Sequence, residues 1–229
     1  MTVLTASAAS ATPQYEIRAR HTGTTVTVYQ AYRPALGLPA ARDGRFPPEW
    51  KRDRMTWIKP SFLWMMYRCG WGTKEGQETV LAVEITREGF DWALAHAELS
   101  HYVQRVHPDR DTWRRNLRRA PARVQWDPER GLRLDRLPHR SLQLGLCGEA
   151  ARRYADEWTV SIRDVTPLAR QVHAHVRAGR LDEASTLLPT ESPYPLGGVP
   201  VPVPAPVPVP APVPAPVRCL GLDQVPTRP

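Results

Sequence analysis

A proline-rich run near the C-terminus limits how much of this 229-residue chain can enter a folded core. From residue 197 to residue 217 the sequence is almost entirely proline alternating with valine or alanine. Proline lacks the N–H that a sheet or a helix interior requires, and its fixed φ favours extended polyproline II. We therefore predict a disordered, proline-rich tail over residues 190–229 and a disordered N-terminus over residues 1–13. A single domain over residues 14–189 remains, which is an ordinary domain size.

Strand patterns dominate the first half of this predicted domain. Residues 15–20 and 26–32 both alternate in the manner of strands, and Gly23 lies between them, which predicts a hairpin. Residues 55–58 predict a short strand before Pro60. Residues 79–86 are β-branched and apolar with few charges, which indicates a buried strand.

The second half has more helical patterns. Residues 90–106 predict one long helix, and residues 148–157 predict another. Two short strands are expected at residues 123–126 and 141–146, on either side of an irregular connection. Together the two halves predict an α+β domain, with a small mixed or antiparallel sheet flanked by helices.

The charge of the chain is strongly basic, with a formal net charge of +8. The charged residues of the predicted tail cancel, so the excess belongs to the domain. A basic domain favours a phosphate-bearing partner, such as a nucleotide or a nucleic acid. The alternative is a domain that merely carries surplus surface arginine.

Cysteine spacing, histidine spacing and hydropathy exclude several classes of protein. The three cysteines have no CxxC spacing, and the seven histidines show no metal-ligand spacing. The first dozen residues lack the pattern of a signal peptide, and no apolar run approaches the roughly twenty residues of a membrane span. We therefore expect a cytoplasmic protein with no metal site and no membrane partner; the sequence does not predict its oligomeric state.

The segment of residues 54–68 carries the most distinctive candidate site. If Pro60 occupies the first helical turn, Lys59 stands at the helix entrance, and Ser61 and Arg68 lie on one helical stripe. A helix N-terminus offers unpaired N–H groups and a positive dipole end. The three side chains therefore predict an anion-binding cradle. The alternative is that the aromatic and methionine residues of this segment are core and Arg68 is an ion-pair partner.

Other candidate ligand-binding and catalytic residues lie on the predicted strands. Tyr29 and Gln30 end a strand near the helix entrance, which is a common way to line a cleft. Arg18 lies on a strand face where its charge needs either solvent or an anion. Asp127 and Glu129 follow a later strand and predict an acid/base group or a ribose ligand, although an Asp-Pro turn is also ordinary loop chemistry.

Six sequence segments resemble one known family. They begin at residues 17, 28, 54, 77, 124 and 140, and the longest contains Lys-Pro-Ser-Phe-Leu-Trp-Met-Met. On these segments, residues 15–189 are similar to DUF4291, a family of bacterial and fungal domains of unknown function. The resemblance implies membership and supplies no activity.

The order of residue types also resembles that of ADP-ribosyltransferase folds. That resemblance rests on Tyr29, Gln30, Ser61 and Glu129 in chain order, and it implies an NAD-binding transferase with Glu129 as the catalytic carboxylate. Arg18, Lys59 and Arg68, which are candidates by their own positions, complete the predicted ligand contacts. An oxocarbenium-like centre needs negative charge nearby, which is the role that Glu129 would have. The alternative function is a non-enzymatic, basic nucleic-acid-binding module that uses an arginine-rich helix at residues 113–119.

Overall fold

The computed structural model describes residues 12–204, which form nine strands, seven α-helices and one π-helical turn. The strands are β1 (Arg18–Ala19), β2 (Thr25–Tyr32), β3 (Thr56–Ile58), β4 (Thr79–Thr86), β5 (Ala97–Leu99), β6 (Ala122–Arg130), β7 (Arg136–Leu146), β8 (Thr159–Asp164) and β9 (Ser192–Pro193). The helices are α1 (Pro34–Asp43), α2 (Phe62–Cys69), α3 (Arg87–Ala95), α4 (Arg110–Arg119), α5 (Glu149–Arg153), α6 (Thr166–Arg177) and α7 (Leu181–Thr186), and the π-helical turn is Tyr154–Trp158.

The strands form three sheets. The first has the antiparallel order β2-β4-β8. The second has the order β3-β7-β6-β5, in which only the β5–β6 pair is parallel. Strands β1 and β9 form a separate antiparallel pair. The predicted α+β class, with small mixed and antiparallel sheets and flanking helices, is confirmed.

The two larger sheets meet at the residues that form the candidate site. The N–H of Tyr29, in the middle of β2, donates to the carbonyl oxygen of Lys59 at 2.7 Å. The N–H of Lys59 donates back to the carbonyl of Tyr29 at 3.3 Å. Because Lys59 directly follows β3, this bridge holds the end of β3 and the start of α2 against the first sheet.

Buried apolar residues explain the central strands. In β4 every residue from Thr79 to Val83 is buried, because β2 and β8 flank it and helices cover it. β-branched residues pack well on such a surface. The predicted strand at residues 79–86 therefore matches β4, and the predicted strand at residues 55–58 matches β3 within one residue.

Several predicted elements differ from the structure because distant strands pair with them. The helix predicted over residues 90–106 ends at Ala95, and Ala97–Leu99 instead pairs with β6 as the parallel strand β5. Strands β6 and β7 extend far beyond their predicted lengths, so their irregular connection is only residues 131–135. The prediction did not include β8 at all. Such pairing partners lie far away in sequence and leave little local signal.

The predicted N-terminal hairpin is confirmed only at its turn. His21 and Val26 form an isolated antiparallel bridge, whereas β1 itself pairs with β9. Arg18 stands opposite Pro193 in this pair. Proline is tolerated in β9 because the strand lies at an edge.

The folded unit continues past the predicted boundary at residue 189. Beyond β9, Tyr194 is buried, and the indole Nε1–H of Trp126 donates to the carbonyl of Pro202 at 2.9 Å. Leu196, Val199 and Val201 pack against the core. A single aromatic anchor and a few apolar residues therefore fix this part of the predicted tail. Residues 1–11 and 205–229, which contain the rest of the predicted termini, lie outside the described residues.

No helix within residues 12–204 is both long enough and apolar enough to cross a membrane.

Candidate functional site

A cavity of about 790 Å³ lies where the two larger sheets meet. The end of β2, the loop before β3, β3 itself, helix α2 and the paired strands β6 and β7 all contribute to its wall. The residues that line it are Gln30, Ala31, Tyr32, Arg33, Leu36, Glu49, Trp50, Lys51, Arg54, Met55, Thr56, Trp57, Lys59, Met65, Arg68, Gly76, Gln77, Gln125 and Gln143.

Four exposed basic residues form what we call the cationic wall of this cavity: Arg33, Lys51, Arg54 and Arg68. None of their side chains forms an ion pair or a hydrogen bond with any residue of 12–204. The only acidic residue among the described lining is Glu49. The cavity therefore concentrates positive charge that the described part of the chain does not neutralise, which favours an anionic ligand.

Lys59 lies at the floor of the cavity and is only 4% exposed. Its Nζ donates to the carbonyl of Trp57 at 3.3 Å and lies 5.2 Å from the centre of the Trp64 ring. Burial lowers the pKa of Lys59 to about 7, with a further contribution from Arg68 that Asp127 partly offsets. A large fraction of this amine is therefore neutral at physiological pH, unlike an ordinary lysine.

Asp127 is held beside the cavity by two amides. Gln125 and Gln143 stand directly opposite each other on β6 and β7. Gln143 Nε2 donates to Asp127 Oδ2 at 2.6 Å, and Gln125 Nε2 donates to Oδ1 at 3.0 Å. Because residues two apart on a strand share a face, Gln125 and Asp127 point the same way. The carboxylate is thereby fixed in orientation.

Gln30 connects the cavity to the core. Its Nε2 donates to Thr56 Oγ1 at 2.6 Å and to the carbonyl of Trp57 at 3.1 Å. Its Oε1 accepts from the hydroxyl of Tyr154 at 2.8 Å. With the amide satisfied in this way, Gln30 positions β3, and its contribution to the cavity is mainly structural.

The entrance of α2 differs from the predicted anion cradle. Ser61 is the N-cap, because its Oγ accepts from the N–H of Trp64, so Pro60 precedes the helix. The same Oγ donates to Glu129 Oε1 at 2.9 Å. The N–H of Phe62 donates to Glu191 Oε1 at 2.7 Å. The chain itself thus supplies the carboxyl groups that a helix N-terminus attracts.

Glu129 and Glu191, which we call the carboxyl pair, lie close enough to influence each other. Burial raises the pKa of the Glu191 carboxyl to about 8, and the charge of Glu129 raises it further, against the Phe62 N–H and Arg18. Glu129 is buried and Glu191 is half-buried, and two carboxyl groups this close cannot both ionise cheaply. Glu191 is therefore largely protonated at neutral pH, which limits the repulsion within the pair.

The structure brings together three of the seven predicted site residues. Gln30, Lys59 and Arg68 line the cavity. Ser61 and the predicted catalytic residue Glu129 bond to each other at the entrance of α2 and do not line it.

The other two predicted residues also lie away from the cavity lining. Tyr29 is buried, packs edge-to-face on Phe62 at 5.4 Å, and has a pKa raised by that burial. Arg18 donates to Glu16 at 2.9 Å and to the carbonyl of Glu191 at 3.2 Å. Their contacts within the described residues are structural.

Sequence reasoning missed most of the cavity wall. Arg33 and Lys51 follow no motif, because they come from loops that only the fold brings together. Arg54 begins the distinctive segment of residues 54–68, but the predicted ligand contacts in that segment were Lys59, Ser61 and Arg68. Gln125 carried a partial signal, since it lies on the predicted strand of residues 123–126, just before the candidate Asp127; the structure extends this strand through both residues. Its partner Gln143 follows only from the register of β6 and β7.

Comparison with known proteins gives a single family. The model of the family described as Domain of unknown function (DUF4291) matches residues 16–194. The predicted resemblance is thereby confirmed over most of the chain. Among curated proteins, none matches it.

Proposed function

The chain belongs to the DUF4291 family, and we propose that it is a nucleotide-binding transferase whose nucleotide occupies the cavity between the sheets. The observation that carries this proposal is the cationic wall, whose four side chains have no anionic partner within residues 12–204. Phosphate groups are the anions best suited to such an arrangement, because arginine binds them through several N–H donors at once.

The size and the lining of the cavity support a nucleotide over a small inorganic anion. A volume of about 790 Å³ lies in the range of about 300–1,000 Å³ that is usual for small-molecule sites. The half-buried Trp57 and the thioether of Met65 offer apolar surface for a base. Gln77 offers an amide that can bond to a sugar or a base edge. A phosphate ion would use only part of this surface.

NAD is the nucleotide that the resemblance to ADP-ribosyltransferases implies. In that form of the proposal a carboxylate must lie beside the nicotinamide ribose. Glu129 suits this role poorly, because its Oε1 already accepts from Ser61 Oγ and from the N–H of Arg130 at 2.8 Å. Asp127 is the nearer carboxylate, since the two amides that donate to its oxygens belong to residues that line the cavity, and a ribose would have to displace one of these amides.

Titration calorimetry with ATP, with NAD and with inorganic tripolyphosphate tests the proposal. Arg54→Gln and Arg68→Gln should each weaken nucleotide binding by about tenfold or more, as expected for loss of a charged hydrogen bond. Arg118→Gln, on the exposed helix α4, is the matched control and should leave affinity unchanged. A protein that binds neither nucleotide, or whose affinity is unaffected by Arg68→Gln, would refute the proposal.

The nucleic-acid-binding alternative has less support. Helix α4 has no buried residue, and two of its arginines bond within the helix: Arg114 to Asp111 and Arg115 to Thr112. Its arginines do not line the cavity. If this alternative were correct, RNA or DNA would bind with a steep salt dependence that Arg118→Gln reduces, because phosphate contacts release counterions.

A further inference from the structure

Lysine is rare in this chain, and one of its few lysines is buried. Basic residues total 31, of which only Lys51, Lys59 and Lys74 are lysine. Lys51 and Lys74 are exposed, whereas Lys59 is 4% exposed and opens onto the cavity. Burying an ammonium group is costly unless it is paired. The position of Lys59 therefore needs an explanation beyond packing.

No carboxylate of residues 12–204 lies within ion-pair distance of Lys59 Nζ. Its single hydrogen bond there is the 3.3 Å contact with the Trp57 carbonyl. The oxygens of Asp127 are taken by the amides of Gln125 and Gln143. A buried ammonium would be left poorly satisfied in these surroundings, whereas a neutral amine keeps its lone pair free for a ligand.

We propose that Lys59 Nζ is the nucleophile of the transferase and accepts the nucleotidyl group of a nucleoside triphosphate. This inference rests on the proposed nucleotide-binding function and adds its chemistry. Desolvation and a neighbouring cation are the two conditions that activate a lysine amine, and here burial and Arg68 supply them. Because the floor of the cavity bears the amine and its wall bears the cations, a triphosphate bound at the wall can present its α-phosphorus to Lys59.

The proposed transfer of the nucleotidyl group to Lys59 needs no oxidant or reductant. The lone pair of Nζ forms a bond to the α-phosphorus, and the bond from that phosphorus to the oxygen that bridges to the β-phosphate breaks. The electron pair of the broken bond leaves with pyrophosphate. One proton leaves Nζ for water in the cavity. The products are a phosphoramidate on Lys59 and free pyrophosphate, whose developing charge the cationic wall stabilises.

The charge of the cavity favours a triphosphate over a dinucleotide. The wall supplies four cationic side chains against the single carboxylate of Glu49. A nucleoside triphosphate carries about as much negative charge as this wall carries positive charge. The pyrophosphate of NAD carries two negative charges, and its pyridinium cancels one of them. The triphosphate is therefore the better electrostatic match.

The experiment uses the full-length protein and the magnesium complex of ATP labelled at the α-phosphate. After denaturation the label should remain on the protein, and ATP labelled at the γ-phosphate should leave none. Peptide mapping should place the label on Lys59, and the bond should break in acid but survive alkali, as a phosphoramidate does. With only three lysines, the mapping is unambiguous.

Variants test the assignment of Lys59 as the nucleophile, with a check that each variant is still folded. Lys59→Arg and Lys59→Met should reduce labelling to below about one-hundredth of the unmodified protein, whereas Lys74→Arg should retain it. Circular dichroism checks that each variant is folded, and mapping on the unmodified protein needs no variant.

Four results would overturn the inference. Label on Lys51 or Lys74 would assign another nucleophile, and an adduct formed from NAD but not from ATP would exclude the triphosphate. ATP binding without any retained label would reject covalent chemistry and leave the proposed function standing. Absence of all nucleotide binding would reject both proposals.

Discussion

Two regions beside helix α2 attract anions. Among residues 12–204, one of them is occupied by carboxyl groups and the other has no carboxylate partner. At the N-terminus of the helix the carboxyl pair of Glu129 and Glu191 occupies the place where an external anion was predicted. On the cavity side, Arg68 and the rest of the cationic wall have no carboxylate partner among residues 12–204. A charge with a partner from the same chain contributes to folding, whereas charges left unmatched around a cavity indicate a ligand. Ser61 and Arg68, which mark the two regions, belong to one short segment, so composition alone cannot distinguish them.

Reversing the charge of the wall should have the largest effect. In Arg54→Glu/Arg68→Glu the nucleotide phosphates would meet two carboxylates, and affinity should fall by about 100-fold or more. Stability should change little, because both side chains are exposed. Titration calorimetry and a thermal melt measure the two quantities. The matched control is Arg118→Glu/Arg119→Glu on α4; if it weakens binding equally, the effect is only one of net charge.

The carboxyl pair should make stability depend on pH. The Glu191 carboxyl has a pKa of about 8 in the folded protein against an ordinary value of 4.5. Between these values the folded protein keeps a proton that the unfolded chain releases, so the free energy of unfolding falls as pH rises. The fall should amount to a few kcal/mol, since each unit of pKa corresponds to about 1.4 kcal/mol. Urea unfolding at pH 5, 6, 7 and 8 measures it.

Glu191→Gln should remove most of this decrease in the free energy of unfolding with rising pH, because an amide does not titrate. Glu75→Gln, at an exposed turn position, is the control and should keep it. Lys59 contributes an opposite slope between its lowered pKa of about 7 and its ordinary 10.5, where the unfolded chain holds more protons. Measurements below pH 7 therefore avoid the contribution of Lys59, and the comparison with Glu191→Gln separates Glu191 from the histidines that titrate in this range. An unchanged slope in Glu191→Gln would show that the pair does not titrate as described.

Removing the N-cap of α2 should separate stability from binding. Ser61→Ala loses the bond to the Trp64 N–H and leaves the N–H of Arg130 as the remaining donor to Glu129 Oε1 among the described residues. We expect a loss of about 1–3 kcal/mol in the free energy of unfolding, with nucleotide affinity within about twofold of the original. Ser192→Ala, on the exposed strand β9, is the comparison. A large loss of affinity in Ser61→Ala would place the helix entrance in the ligand site after all.

The smallest effect concerns the segment beyond residue 189. Trp126→Phe keeps an aromatic ring but removes the indole N–H that bonds to Pro202. Stability should fall by about 0.5–1.5 kcal/mol, the usual contribution of one hydrogen bond. Hydrogen exchange should show faster opening of the segment around Tyr194 and Leu196. Unchanged exchange there would mean that this bond does not hold the segment.

The predictable parts of the fold are those with a strong local pattern. Strand β4 was predicted with its bounds because buried central strands are apolar along their length. Strand β8 was missed because its exposed and buried residues do not follow a simple alternation. The sequence of β5 resembles a helix continuation, and only its parallel pairing with β6 makes it a strand. Tertiary pairing overrides weak local preference in both cases.

The candidate site also has some residues that a local sequence pattern predicts and others that it does not. Lys59 and Arg68 were found because they lie in one distinctive segment with Ser61. The role of that segment's helix entrance was misjudged because Glu191 comes from 129 residues further along. Arg33 and Arg54 lie on either side of α1 and become neighbours of the same cavity only in the fold. Which charges are matched is a three-dimensional property that the local pattern does not contain.

The pairing of β1 with β9 places segments near the two ends of the folded unit side by side, with Arg18 opposite Pro193. A domain whose ends are neighbours can be inserted into a surface loop of another protein without being stretched. It can also be circularly permuted, with the old ends joined by a short linker and new ends opened at the connection between β6 and β7. Both rearrangements would keep Lys59 and the cavity within one folded domain, so the whole site could be transferred to another protein as a unit.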